Sequence, residues 1–265
     1  MVKTRHLSFT LILYSLLSAS TAMGRTSHPP VGGEVRCWID RGALVAPALF
    51  GDIAGDFLID LSAPASALQD TRAGLDGVSA ASATSNLTLA GQTVREFPMA
   101  VADLDARTRG FETVINGIVG ADFLARFIVE IDPSPCRIRL VRQTARRRHG
   151  STRLAVTMAS GRPLVAARIT DGARIRSGLF ALDTAEWPTT LFGDRLSRAG
   201  PAAAPPPARL RAMTLAGRLF EQVPAVVAAA PDVGVARGAL GLSVLSRWSL
   251  RLDMSHGWLD LSPVK

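Results

Sequence analysis

The sequence predicts a mainly β protein of two similar lobes built from an internal duplication, with short helices. Three observations predict it. The chain of 265 residues repeats itself once. Its apolar runs are short and end near Gly, Pro or Asp, as strands between turns do. Its composition is 48% hydrophobic and 20% charged, which suits a globular chain with a sizeable core rather than a disordered one.

The repeat is read by setting Asp60 against Asp183, an offset of 123. Phe57-Leu-Ile-Asp-Leu-Ser-Ala63 then faces Phe180-Ala-Leu-Asp-Thr-Ala-Glu186. Thr88-Leu-Ala-Gly91 matches Thr214-Leu-Ala-Gly217. Ile118-Val-Gly-Ala-Asp-Phe-Leu124 matches Ala239-Leu-Gly-Leu-Ser-Val-Leu245, and Val129-Glu-Ile-Asp132 matches Leu250-Arg-Leu-Asp253. The offset drifts from 123 to 126 and back to 121, as changes of loop length produce. Chance explains isolated pairs in an Ala-rich chain; it does not explain a series in order. The halves are bounded at 23–145 and 146–265, with Arg142 to Gly150 as the joint.

Within each half the elements read in order. Leu44 to Phe50 and Leu164 to Ile169 are apolar strands. Phe57 to Ile59 and Leu179 to Leu182 are buried strands that lead into the two aspartates. Gly74 to Ser85 is expected to form a small mobile hairpin. A short helix is expected after Gly120 or Gly241, carrying Phe123-Leu124 or Val244-Leu245. Phe127 to Ile131 and Arg137 to Val141 flank the turn Asp132-Pro-Ser-Pro135, a hairpin. Ser249 to Leu252 and Trp258 to Leu261 flank Asp253-Met-Ser-His-Gly257 in the same way. Asp132 and Asp253 are read as hairpin residues. The run Gly200 to Pro207 contains three consecutive prolines and is read as a loop.

Residues 1–22 read as an export signal. Met1 to His6 is basic, Leu7 to Leu17 is mostly apolar and too short to span a bilayer, and Ser18 to Ala22 supplies small residues for cleavage. The chain is therefore expected in the periplasm or outside the cell, with no stable membrane anchor after cleavage. Export places Cys37 and Cys136 in an oxidising compartment. Closing the 99-residue separation would stabilise by about 4 kcal/mol in the chain-entropy picture. Spacing leaves two outcomes open, a bridge or two buried thiols.

The net charge of +8 does not mark a nucleic-acid protein. Its arginines are scattered, and their one cluster, Arg142 with Arg146, Arg147 and Arg148, falls between the halves. Four His and two Cys argue against a Cys/His zinc centre, so no metal is expected.

One aspartate at a strand end is ordinarily a turn residue. Two at equivalent places in duplicated halves meet if they lie near the pseudo-two-fold axis. Two adjacent carboxylates cannot both ionise cheaply, so the pair holds one proton. The ionised partner then activates a water while the protonated partner polarises a carbonyl. Peptide hydrolysis without a covalent intermediate follows.

On these motifs the chain resembles the retropepsin-like aspartic proteases, in a bacterial form that fuses both halves of the usual dimer. The resemblance covers roughly residues 35–265. Asp60-Leu-Ser-Ala63 and Asp183-Thr-Ala-Glu186 occupy the family's Asp-Thr/Ser-Gly-Ala motif. Ile118-Val119-Gly120 and Ala239-Leu240-Gly241 occupy its second motif, two apolar residues and Gly before a short helix. The resemblance implies a two-lobed acid-protease fold, an Asp60–Asp183 dyad, an extended peptide or protein substrate, no cofactor, and a chain that needs no second copy. It implies that Thr184 bonds across the axis, where Leu61 has no hydroxyl to offer. Ser62 and Ala185 stand where the family has Gly, and Glu186 stands where it has Ala. A catalytically impaired relative that keeps the cleft for peptide binding, or as an envelope module, is the alternative.

Overall fold

The computed structural model describes residues 32–142, 149–170, 175–192, 208–228 and 235–264. The segment read as an export signal, Arg146 to Arg148 of the joint and the proline run 200–207 lie outside the described residues.

The first half supplies β1 (Gly32–Arg36), β2 (Trp38–Asp40), β3 (Ala43–Phe50), β4 (Ile53–Ile59), β5 (Ala67–Gln69), β6 (Ser82–Leu89), β7 (Gln92–Ala102), β8 (Ile115–Val119), β9 (Ile128–Pro133) and β10 (Cys136–Val141). Its helices are α1 (Asp70–Leu75), α2 (Asp105–Thr108) and α3 (Ala121–Leu124). The second half supplies β11 (Thr152–Ala159), β12 (Arg162–Thr170), β13 (Ile175–Leu182), β14 (Thr189–Phe192), β15 (Ala208–Leu215), β16 (Arg218–Ala228), β17 (Ala236–Leu240), α4 (Leu242–Leu245), β18 (Trp248–Asp253) and β19 (Trp258–Pro263).

Each half closes a barrel-like lobe. The first runs β2-β3-β4-β8-β5-β7-β6, and β6 returns to β3. The second runs β11-β12-β13-β17-β14-β16-β15, and β15 returns to β12. The duplicated sequence thus folds into duplicated topology. Two-residue turns reverse the chain at matching places: Arg41-Gly42 and Ser160-Gly161, then Ala90-Gly91 and Ala216-Gly217, with φ positive at all eight positions. Successive positive φ values suit the right-handed twist of hairpin strands. The repeated Thr-Leu-Ala-Gly is one of these reversals.

In both lobes a late, short strand enters between two earlier ones. β8 lies parallel to β4 and antiparallel to β5. β17 lies parallel to β13 and antiparallel to β14. The crossing is tight. A Cβ on Gly117 would stand 2.4 Å from the Ala67 carbonyl oxygen, and one on Gly238 would stand 2.1 Å from that of Thr190.

A six-stranded sheet, β1-β10-β9-β18-β19-β11, joins the lobes. β9 pairs directly with β18, its own counterpart. Val129, Ile131, Leu250, Leu252, Leu259 and Leu261 give the sheet a buried apolar side within the main core. The alternate residues carry charge. Glu34, Arg139, Glu130, Arg251, Asp260 and Arg153 stand opposite one another, strand by strand, in one row of alternating sign. Arg139 reaches Glu34 at 2.6 Å, Arg251 reaches Glu130 at 3.0 Å, and Arg153 grips Asp260 through two bonds of 2.7 Å. Cys37 and Cys136 are bridged, which decides between the two outcomes left open by spacing.

Three local expectations change. Short helices follow Gly120 and Gly241 alike, as α3 and α4. α1 and α2 were not expected. Gly74 to Ser85 is not a hairpin; it holds the end of α1, a turn and the start of β6. The hairpin there is β6–β7, and its Ala90-Gly91 tip packs on Gly33 of β1.

Candidate active site

The two aspartates end equivalent strands and are held by equivalent bonds. Asp60 follows β4, and its amide donates to the Val119 carbonyl at 3.0 Å. Asp183 follows β13, and its amide donates to Leu240 at 3.0 Å. The amide two residues on closes each loop over its carboxylate: Ser62 to Asp60 Oδ1 at 2.7 Å, Ala185 to Asp183 Oδ1 at 3.0 Å.

The second motif supports these loops from below. The α3 amide of Ala121 donates to Ala63, and the α4 amide of Leu242 donates to Glu186, both at 2.8 Å. Gly120 and Gly241 permit this contact. A Cβ on Gly120 would stand 2.8 Å from the Ala63 oxygen, and one on Gly241 would stand 2.2 Å from that of Pro188. Ile118, Val119, Ala239 and Leu240 are buried beneath.

The loops of the two lobes touch. The Thr184 hydroxyl donates to the Ile59 carbonyl at 2.5 Å and accepts the Leu61 amide at 3.1 Å. These bonds bracket Asp60 from the residue beside Asp183. Leu61 returns no such bond and is fully buried instead. Ser62 uses its hydroxyl on its own lobe, donating to Asp60 Oδ1 at 2.7 Å. Ala63 and Ala185 are buried in one cluster with residues of β3, β4 and β8. Thus the structure brings together Asp60, Leu61, Ser62, Ala63, Asp183, Thr184, Ala185 and the second-motif residues.

Sequence reasoning missed Arg107. It extends from α2, and its Nη2 meets Asp60 Oδ2 at 2.6 Å. The Arg107 side chain is 40% exposed, whereas that of Asp60 is fully covered. The carrying turn is built for the task. Buried Gln69, at the end of β5, accepts the Leu104 amide and donates to Asp105 Oδ1, both at 2.6 Å. Arg162 of β12 was missed as well; its Nε donates to the Ser62 carbonyl in the other lobe at 2.6 Å. Both are lone arginines outside the matched segments, so the sequence carried no signal for them.

The charges are divided unequally. Asp60 is the carboxylate of a salt bridge. Burial, and then the negative charge of Asp60, push Asp183 up to about 7. Below about 7, therefore, Asp183 carries a proton beside the salt-bridged Asp60. Glu186 is raised too, first by desolvation of its carboxyl, and its charge is felt at Arg107 and Asp183. It is a third acid at the site, while Trp187 beside it is 42% exposed.

Asp122 and Asp253 serve locally. Asp122 accepts the Ser66 hydroxyl at 2.6 Å and the Ser66 amide at 2.9 Å. Asp253 holds its hairpin turn through Ser255 Oγ and the His256 amide.

No protein-family model matches the chain, and no curated protein matches it in sequence. Solved structures do match in fold. The aspartic proteinase from Irpex lacteus superposes with a TM-score of 0.55 at 13% identity, covering 88% of this chain and 98% of that one. Basic 7S globulin from soybean gives 0.56 at 11% identity, with coverage of 88% and 95%. Conglutin gamma from lupine seeds, a basic 7S globulin, gives 0.57 at 11%, again with 88% and 95%. The fold is the two-lobed one of aspartic proteinases, and that fold carries both a proteinase and globulins.

Proposed function

We propose that the chain is an exported aspartic-type endopeptidase of the retropepsin-like kind, with both halves fused in one polypeptide. The observation that carries this reading is the site's divided protonation, a salt-bridged Asp60 carboxylate beside a protonated Asp183, on two hydrogen-bonded loops of equivalent geometry. An extended peptide lies across the cleft. Asp60 takes a proton from a water as that water attacks the scissile carbonyl, and Asp183 gives its proton to the carbonyl oxygen. The resulting diol collapses, the C–N bond breaks, and a proton passes to the leaving amine. The chain's own groups are enough for these steps. A disulfide in the first lobe supports the oxidising destination that the signal-like N-terminus suggests.

The test is cleavage of casein by purified protein across pH. Activity falls as pH rises through about 7, where Asp183 loses its proton. Asp183→Asn abolishes turnover and leaves the circular dichroism spectrum unchanged. Full turnover by that variant removes the mechanism.

One observation favours a second reading. Arg107 engages Asp60 Oδ2 while Ser62 engages Oδ1, so both oxygens of the base are occupied. A cleft in that state binds peptide by backbone pairing without cutting it. Peptide binding with no cleavage at any pH would select it.

A further inference from the structure

Beside the dyad the second lobe holds a small pocket of about 90 Å³. At roughly 30 Å³ per water it has room for a few waters or for one short side chain. Ala181, Ala236, Ala239 and Phe192 form apolar walls. Ser62 and Asp183 border it where it meets the reacting groups, and Arg162 completes it.

Arg162 is the pocket's informative member. Its Nε is spent on the Ser62 carbonyl. That bond crosses between the lobes and fixes the guanidinium plane beside the dyad. A guanidinium carries five donors in a rigid fork suited to a carboxylate. Among the described residues Arg162 makes no ion pair, whereas Arg107 on the other side is committed to Asp60. Among the described residues the charged groups around the pocket are few. Asp183 is neutral below about 7, and Asp60 is compensated by Arg107. Glu186 raises Asp183 from nearby, and it is absent from the pocket wall. Among the described residues, then, Arg162 brings to a space sized for a short side chain a positive charge that no acid pairs.

We infer that this pocket is a substrate subsite for a short acidic side chain, Asp before Glu, carried next to the scissile bond and held by Arg162. The inference rests on the hydrolytic reading above for its position relative to the cut. The recognition is independent of the chemistry, because pocket and fork are present whether or not the bond breaks.

The test is a peptide series with Asp, Glu, Asn, Leu or Lys at each position within two residues of the cut. A charge-assisted hydrogen bond of the usual strength predicts a kcat/KM about tenfold higher for Asp than for Asn at one position. Arg162→Gln keeps a donor for the Ser62 carbonyl and should bring that ratio to about one. Arg162→Glu should reverse the choice, favouring Lys. An Asp-to-Asn ratio near one in the unaltered protein overturns the subsite, as does the same preference persisting in both variants. If nothing is cleaved, the hydrolytic reading fails while the subsite is still decided by fluorescence anisotropy with labelled Asp and Asn peptides. Tighter Asp binding that Arg162→Gln removes supports it; equal binding overturns it.

Discussion

The hydroxyl of Thr184 holds the opposite loop at Ile59 and Leu61, a task that the family pattern divides between two residues. Leu61 contributes packing in place of the second clamp, and the first lobe holds the Thr184 loop through the Leu44 amide instead, which donates to the Thr184 carbonyl at 2.7 Å. Arg107 adds a further asymmetry by bringing a cation to one carboxylate. The consequence for stability has a definite sign. Asp183 binds its proton more tightly folded than unfolded, with a value raised to about 7 from an ordinary 3.8. Its contribution is complete below the ordinary carboxyl range and is lost as pH rises through about 7. From this group alone the protein should be less stable at pH 8 than at pH 5 by roughly 2–3 kcal/mol. Urea midpoints at the two pH values measure the difference, and Asp183→Asn should remove most of it. A midpoint that rises with pH would contradict the assigned proton. At this scale the sequence showed the aspartates because each had a twin. Arg107 and Arg162 were hidden among 28 arginines. In the strand register Arg162 corresponds to Ala43, so duplication offered no hint of it.

Strands and turns were the most legible elements, because their punctuation is local. An Ala-Gly or Ser-Gly pair between alternating residues selects a two-residue reversal whatever surrounds it. The short helices were less legible. α1 and α2 span six and four residues, too few to show a helical period, and α2 owes its place to the distant Gln69 amide. The expected hairpin at Gly74 to Ser85 failed for the same reason: Gly is permitted in a turn of helix as well as in a strand reversal. The interposed strands β8 and β17 depend on glycine at their crossings. Gly238→Ala would drive a methyl against the Thr190 carbonyl, and Gly117→Ala against that of Ala67. A backbone oxygen in a paired strand cannot step aside, so each substitution should destabilise by about 1–3 kcal/mol, the usual range for an overfilled core. Urea unfolding at fixed pH checks both, and an unchanged midpoint in either would show that the crossing is looser than described.

At the scale of the molecule, the repeat predicted two lobes, and the sheet between them explains why they stay together. The Cys37–Cys136 bridge lies where β1, on the joining sheet, hands over to β2 of the first lobe. Spacing alone left this bridge undecided, because no local pattern records which distant residue meets Cys37. Replacing both cysteines with Ser should cost about 2–5 kcal/mol, read as a fall in the thermal midpoint that reductant reproduces in the unaltered protein. The charged row across the joining sheet was not anticipated either, since its meaning exists only once six strands are in register. Glu130 and Arg251 are counterparts in the repeat, and so are Arg139 and Asp260, and Glu34 and Arg153; in every case the sign is reversed. Like charges set directly opposite on paired strands repel. A free half meeting its twin along that seam would oppose acid to acid and base to base. The two parts are thus lock and key to each other and strangers to their own copies.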